Sequence, residues 1–437
     1  MFGQIFQFAA VLTDNNFNIL DQFEIRSRRM PHIVPDPGAI MVTGVTPEQL
    51  ENTPDSYYNF AKKIRGKLLD WSPAIFCGYN IFKFDEPFMR SMFYQNLFPP
   101  YLTQTDGNKR LDVLPLVRAA EVLLDNSLTF PMKKDGKTSK KLEEIALANG
   151  FSNHNAHDAL GDVLATIFVA ELIRERAPII WQSGINSLSR SDFNNFIKGE
   201  QWFLVHDHNN GWPVTYPAVE ICKTDGNRNS FLYDLQFPIE DISTNELEKN
   251  FKSRFRPFRA AKNSEMPLVF KENEVCELKL TNNYDLDELK TKAQLVRESE
   301  IIYEIALSHQ KFQKDFEKSP HIEDQIYDDF KSFDTNKFLL DEFHHRDTDE
   351  KLAIVQQMND ERFRSFAKRI IFENFPELMS TQEIKDYKTR INERICSEEE
   401  VPWTTKQKAI EQCIRLSETN EENLLELDVL KSYLQGL

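Results

Sequence analysis

The sequence predicts a multidomain chain, α/β followed by β followed by α, and three textures along it carry that prediction. Through residues 1–177, strand-like and helix-like segments alternate, as in a layered α/β domain. Through 178–316, short apolar runs such as "QWFLVHDH", "TYPAVEICK", "SFLYDLQF" and "MPLVFKEN" are separated by Asn, Gly and Pro, the pattern of a small β-barrel or sandwich. Through 317–437 the chain is rich in Glu, Asp, Lys and Phe and reads as helical. Its 437 residues suffice for two or three domains of about 100–200 residues each.

The first domain can be read element by element. Residues 5–13 and 19–26 alternate and are joined by "TDNNFN", where Asn and Asp favour a turn, so they predict a hairpin. "MPHIVPDPGAIMVTGVTPEQL" reads as a Pro-broken loop that leads into a helix. Thr46, Pro47 and Gln49 there fit a capping box with Pro in the first helical position. "AIFCGYN" (74–80) is a short apolar run ending in Gly and reads as a buried strand. "FKFDEPFMRSMFYQNLF" predicts an amphipathic helix, and "KKLEEIALANG" one that stops at Gly150. Residues 158–176 predict a long helix with Leu160, Val163, Leu164, Ile167, Phe168 and Leu172 buried.

Composition excludes several classes. Hydrophobic residues make up 41% and charged residues 28%, ordinary for a globular protein. No apolar run approaches the ~18 residues of a membrane span, and no basic segment precedes an apolar stretch at the start. The five cysteines stand apart and are odd in number, which predicts reduced thiols and a cytoplasmic protein. A net charge of −16 argues against general coating of nucleic acid but leaves room for a local basic cleft. Two segments are candidates. "KSRFRPFRAAK" (252–262) interleaves Arg254, Arg256 and Arg259 with Phe255 and Phe258, and "MKKDGKTSKK" ends in Lys140 and Lys141. Basic grooves track phosphates and aromatic faces stack bases; a strand edge and a solvated turn are the plainer alternatives. "FHHRD", with His344 and His345, reads as solvated helix surface.

Two stretches carry the candidate chemistry. In "SNHNAHDALGDVLATI", His157 lies at the start of the long helix and Asp162 about one turn inside it. A carboxylate near a helix start can hold a hard cation while a neighbouring His moves a proton. In "GYNIFKFDEPFM", Asp85 follows the strand ending at Asn80, where α/β sheets place ligands. Each alone has an ordinary alternative, a surface pair for the first and a helix-start acid for the second.

Together they resemble the second and third motifs of the DEDDh exonucleases, a family with the ribonuclease H-like fold. Asn80, Phe84 and Asp85 stand as in the second motif, His157 and Asp162 as in the third. "GQIFQFAAVLTD", "PDPGAIMVTGVTPEQL", "IALANG", "YPAVEICKTDGNRNSFLYDL" and "HIEDQIYDDF" extend the resemblance to a three-domain bacterial member of the family, over essentially the whole chain. The resemblance implies a ribonuclease H-like exonuclease domain (1–177), a small Src-homology-like β-barrel (178–316) and a helical C-terminal domain (317–437). It implies Mg²⁺-dependent 3′→5′ hydrolysis of single-stranded DNA to 5′-mononucleotides, in DNA repair and recombination. Two Mg²⁺ ions would be held by four acids, Asp85 and Asp162 among them, with His157 as general base. Thr43 and Gly44 of "TGVT" would lie near the terminal nucleotide, and Asn80 would contact DNA. The implied partners are single-stranded DNA and the acidic C-terminal tail of single-stranded DNA-binding protein, with the chain a monomer.

One departure stands out. The family carries its first motif, Asp-x-Glu, on a strand that precedes the segment matching "GQIFQFAAVLTD". Here the first acids are Asp14 and Asp21, and neither belongs to such a motif. The resemblance therefore predicts a sequence that is a piece of a longer protein, lacking two metal ligands and a central strand beside 5–13. The alternative is a catalytically dead module that holds single-stranded DNA or its binding protein. A proofreading subunit or oligoribonuclease fits less well, because those relatives have little beyond the nuclease domain.

Overall fold

The computed structural model describes residues 2–152, 158–209, 212–223, 230–239, 242, 256–262, 266–280, 283–308, 318–328, 332–419 and 423–437. The predicted hairpin is present as β1 (Gln7–Thr13) antiparallel to β2 (Ile19–Arg26). Asp14 closes it, its carboxylate accepting the backbone N–H groups of Asn16 and Asn18 at 2.8 and 2.9 Å. Asp21 instead pairs with Lys67 at 2.6 Å. Neither acid is committed to a catalytic site.

The stretch read as a loop contains a short helix, α1 (Pro37–Thr43). Asp36 caps it and Gly44 ends it in the left-handed region at φ +65°, a conformation Gly adopts without strain. α2 (Pro47–Asn52) follows with the predicted Thr46–Gln49 capping box. Then come α3 (Tyr57–Asp70), β3 (Ile75–Gly78), α4 (Asp85–Gln95), β4 (Lys109–Asp112), α5 (Val113–Leu123), α6 (Leu142–Ala148) and α7 (Ala159–Arg176). β4 runs parallel to β3, with Gly78 opposite Asp112. Among the described residues β1–β2 and β3–β4 are separate two-stranded sheets. Ile75 on β3 is an exposed apolar side chain.

The buried face of α7 differs from the predicted one. Ala165, Val169, Ala170 and Ile173 are fully buried beside Leu172, whereas Leu160, Val163, Leu164, Ile167 and Phe168 are half-buried. The helix is apolar on most sides and packs on β1, α5, α6 and α8 (Pro178–Ile185), so its periodicity could not single out one face.

The β region begins later than its texture suggested, after α8 and α9 (Arg190–Ile197). β5 (Phe203–Asn209), β6 (Trp212–Lys223), β7 (Ser230–Asp234), β8 (Phe258–Ala261) and β9 (Leu268–Phe270) form one antiparallel sheet in the order β8-β7-β6-β5-β9. Helices Leu286–Glu298 and Glu300–Ser308 cover β6. One core joins this sheet to the N-terminal α/β region, running from Leu116 and Ile173 to Leu204, Val219 and Phe231. The helical C-terminal part shares a second core with α3 and α4, where Phe343, Phe363 and Ile370 pack with Phe60, Met92 and Phe93. No helix of the described residues is long and apolar enough to cross a membrane.

His344 corrects the surface reading of "FHHRD". It is 8% exposed and stacks on Phe98 at 4.0 Å between ring centroids. Its Nδ1 lies 2.9 Å from the Tyr58 hydroxyl and its Nε2 3.1 Å from the Leu97 carbonyl. Desolvation, first of all, holds its pKa at about 3. His345 is exposed, as expected.

Candidate active site

The site is built on the turn between β3 and α4. Asp112, 3% exposed at the end of β4, anchors it. Its carboxylate accepts the backbone N–H groups of Asn80 at 2.8 Å, Phe82 at 3.3 Å and Leu114 at 3.0 Å. Asn80 holds a left-handed φ of 63°, uncommon except for Asn, Asp and Gly. These bonds fix the turn that delivers Asp85 to the first position of α4. Behind it Glu86, 1% exposed, accepts from Arg90 at 2.7 Å and Arg110 at 3.2 Å. The start of α4 is thus tied down at two levels.

Asp162 reaches the same place from the first turn of α7. Gln7 on β1 donates to the Asp158 carboxylate at 2.9 Å, which ties the start of α7 to the hairpin. Asp85 is reachable from outside yet crowded by protein. Lost solvation first, then the negative charges of Asp112, Glu86 and Asp162, push its carboxyl up to about 6. A carboxyl raised by lost solvation and by neighbouring carboxylates is the kind of group that gathers at functional sites.

Asp85 and Asp162 are hard oxygen donors, the type that Mg²⁺ takes, and their electrostatic coupling fits one side of a divalent-cation site. Asp112 does not add a third ligand, because backbone N–H groups occupy its oxygens. Among the described residues no group of three or more His, Cys, Asp or Glu has the arrangement of a metal site. His157, the predicted base, lies outside the described residues.

The predicted nucleic-acid residues separate into different fates. Thr43 and Gly44 form an exposed corner at the end of α1, the Thr43 hydroxyl donating to the Ala39 carbonyl at 2.9 Å. Asn80 contributes its backbone to the turn. Lys140 is paired with Glu121 at 2.7 Å. Lys141 is exposed near Glu143 and Glu144. Arg254 lies outside the described residues, and Arg256 is half-buried. Arg259 requires a correction. It is 7% exposed, 3.4 Å from Asp234 and stacked 4.5 Å over Tyr216, so it is a sheet-core cation rather than a groove residue.

Three charged residues near the site were absent from the sequence reading: Asp112, Arg118 and Lys83. The cue for Asp112 was "KRLDVLPLV", a strand-to-helix passage whose strand is only four residues long. Nothing in the spacing of Arg118 or Lys83 distinguishes them from surface charges.

Residues 3–170, somewhat more than a third of the chain, match the model of the exonuclease family RNase_T. Relatives of the chain are bacterial exodeoxyribonuclease I proteins. That of Buchnera aphidicola from Acyrthosiphon pisum is 36% identical over 212 residues, 48% of this chain and 49% of the relative. That of Escherichia coli K12 is 36% identical over 174 residues, 39% of this chain and 36% of the relative. The sequence match thus spans half or less of these relatives' length. Likeness of fold extends further. The crystal structure of E. coli exonuclease I in complex with a dA16 oligonucleotide superposes with a TM-score of 0.83 at 22% identity, covering 98% of this chain and 94% of that one. Exonuclease I from Methylocaldum szegediense gives 0.81 at 20% identity, covering 99% and 95%. The predicted order, α/β then β then helical, is the one observed, and nearly the whole chain shares the fold of these two structures. Exonucleases of this kind depend on metal ions.

Proposed function

We propose that this chain carries the machinery of an exodeoxyribonuclease I, a Mg²⁺-dependent 3′→5′ exonuclease that degrades single-stranded DNA to 5′-mononucleotides in repair and recombination. The observation that supports it most is the convergence of Asp85 and Asp162, from the start of α4 and the start of α7, within electrostatic reach of each other. Relatives of the same name and solved structures with bound oligonucleotides add to the reading.

Asp85 and Asp162 would hold Mg²⁺, which when bound supplies Lewis-acid polarisation of the scissile phosphodiester. The remaining roles fall to the chain itself. Asp112 keeps the turn from moving, and Glu86 with its two arginines keeps α4 from sliding. His157 accepts the proton of the attacking water, a role worth roughly 10²–10⁴-fold in rate. An imidazole suits it because its ordinary pKa lies near neutrality. Thr43 and Gly44 border the terminal nucleotide. The strand passes between the nuclease and sheet regions, and the acidic tail of single-stranded DNA-binding protein docks on exposed basic residues. A solved structure of SSB/Exonuclease I in complex with an inhibitor supports that partner. The protein works as a cytoplasmic monomer.

The test is release of acid-soluble nucleotide from uniformly labelled DNA. Mononucleotides from single-stranded but not duplex DNA, with Mg²⁺ and not with EDTA, are expected. Equal attack on both substrates, or oligonucleotide products, would overturn the assignment.

A further inference from the structure

α4 carries Glu86, Arg90 and Tyr94 at every fourth position, so their side chains lie in one row along the helix. The row begins one residue after Asp85. At its head the buried Glu86 carboxylate accepts from Arg90 at 2.7 Å and from Arg110 of β4 at 3.2 Å. At its foot the Tyr94 hydroxyl donates to the Ile322 carbonyl at 2.9 Å. Between them the Arg90 guanidinium lies 5.5 Å from the centre of the Tyr101 ring and donates to the Tyr327 hydroxyl. Ile322 and Tyr327 are the two ends of one 3₁₀ turn, Ile322–Tyr327, which packs on α4. This turn belongs to the segment "HIEDQIYDDF" of the helical C-terminal region.

The turn is itself braced from behind. Arg362, on the helix Glu361–Asn374, donates to the Gln325 carbonyl at 3.0 Å. Arg394, on the helix Thr381–Ile395, pairs with Glu323 at 2.8 Å. Ile322 and Ile326 pack on the core that joins the helical region to α3 and α4. The turn is therefore a braced piece of the helical region laid against α4, and it meets α4 along the row that starts beside Asp85. The start of α4 needs such support. Phe84, which precedes it, makes no capping hydrogen bond through its side chain, whereas a side-chain cap is the common way to fix a helix start. A helix held by charge-assisted bonds along one row cannot turn about its axis without breaking them. Such a turn is the movement that would swing Asp85 away from Asp162, with which it is in electrostatic reach.

We propose that Tyr327 and Arg90 are positioning residues: through the row Tyr327–Arg90–Glu86 the helical C-terminal region fixes the rotation of α4 and hence the direction of Asp85. This rests on the nuclease reading above, in which Asp85 holds a metal ion. Residues that orient a ligand carboxylate set metal affinity without touching the metal. The consequence is a dependence of one part of the chain on another: Asp85 is correctly aimed only while the turn Ile322–Tyr327 is seated on α4.

The test compares the native chain with Tyr327→Phe, Tyr94→Phe and, as control, Ser380→Ala, which removes the cap of the helix Thr381–Ile395. Amide hydrogen exchange is followed by mass spectrometry in EDTA without DNA, and hydrolysis of single-stranded DNA over a Mg²⁺ series. In Tyr327→Phe, peptides that cover α4 should exchange about tenfold faster, from the loss of one hydrogen bond to a charged group. The Mg²⁺ concentration for half-maximal rate should rise about tenfold, while KM for DNA at saturating Mg²⁺ stays unchanged. Tyr94→Phe should move both readouts in the same direction, and Ser380→Ala neither. Exchange and Mg²⁺ dependence that match the native chain in both tyrosine variants would overturn the positioning role and leave the nuclease reading standing. A native chain that hydrolyses no DNA, with exchange at α4 still raised by Tyr327→Phe, would overturn the nuclease reading and support the link between the turn and α4. If Tyr327→Phe loses its thermal transition, Tyr94→Phe decides between these outcomes.

Discussion

Arg259 in the sheet and Arg118 on α5 carry the same side chain into opposite circumstances. Arg259 is buried against Asp234 and over the Tyr216 ring. Arg118 feels the charge of Asp112 but forms no ion pair with it, and that carboxylate accepts three backbone N–H groups instead. Burying a charge obliges the fold to supply a partner, and the sheet supplies one where the junction by α5 does not. A cation's usefulness to a ligand is decided by what already occupies it, and a cluster of basic letters such as "KSRFRPFRAAK" does not reveal that.

The contrast can be broken at several points. The largest effect expected is on stability at Arg259. Arg259→Met leaves the buried Asp234 without its ion-pair partner and should cost about 3–5 kcal/mol, read as a fall in the urea midpoint, whereas Arg118→Gln, which breaks no ion pair, should leave the midpoint nearly unchanged. Next, Asp112→Ala removes the acceptor for three backbone N–H groups and should cost about 1–3 kcal/mol. It should also reduce activity, because the turn bearing Asp85 is released; equal activity and midpoint in the variant would refute the anchoring role.

A pH effect follows in size. His344 is held neutral with a pKa of about 3, while an unfolded histidine titrates near 6.5. Between those values the unfolded chain binds the extra proton, so stability is present above about pH 6.5 and falls as pH drops. The slope is up to about 1.4 kcal/mol per pH unit for this one group. His344→Gln should flatten the decline in urea midpoint between pH 6.5 and 5 by that share; an unchanged profile would contradict it. The smallest effect is at Thr46, whose hydroxyl accepts the Gln49 N–H. Thr46→Ala should cost about 0.5–2 kcal/mol, seen as a small fall in Tm.

What the sequence disclosed follows the same division between local and non-local causes. The hairpin, the Thr46 capping box and the helix from Ala159 are written in turn residues, caps and length. Asp85 and Asp162 stood out because each sits at an element boundary, and the fold brings them within electrostatic reach of each other. Local pattern failed where a distant partner decides the outcome. His344 is buried by Tyr58 and Phe98 from another part of the chain. Arg259 is buried by Asp234 across the sheet. β4 is too short to show alternation, yet it places Asp112. The face of α7 was misread because all its sides meet other elements.

The most direct test of the central claim is digestion of a 5′-labelled single-stranded oligonucleotide by the native chain and by Asp162→Asn, each with Mg²⁺ and with EDTA. A ladder that shortens from the 3′ end with Mg²⁺, and is lost in EDTA and in Asp162→Asn, is the expected result. A ladder that persists in EDTA or in Asp162→Asn would contradict it, and intact DNA in every lane despite binding of the oligonucleotide would favour the holding module instead.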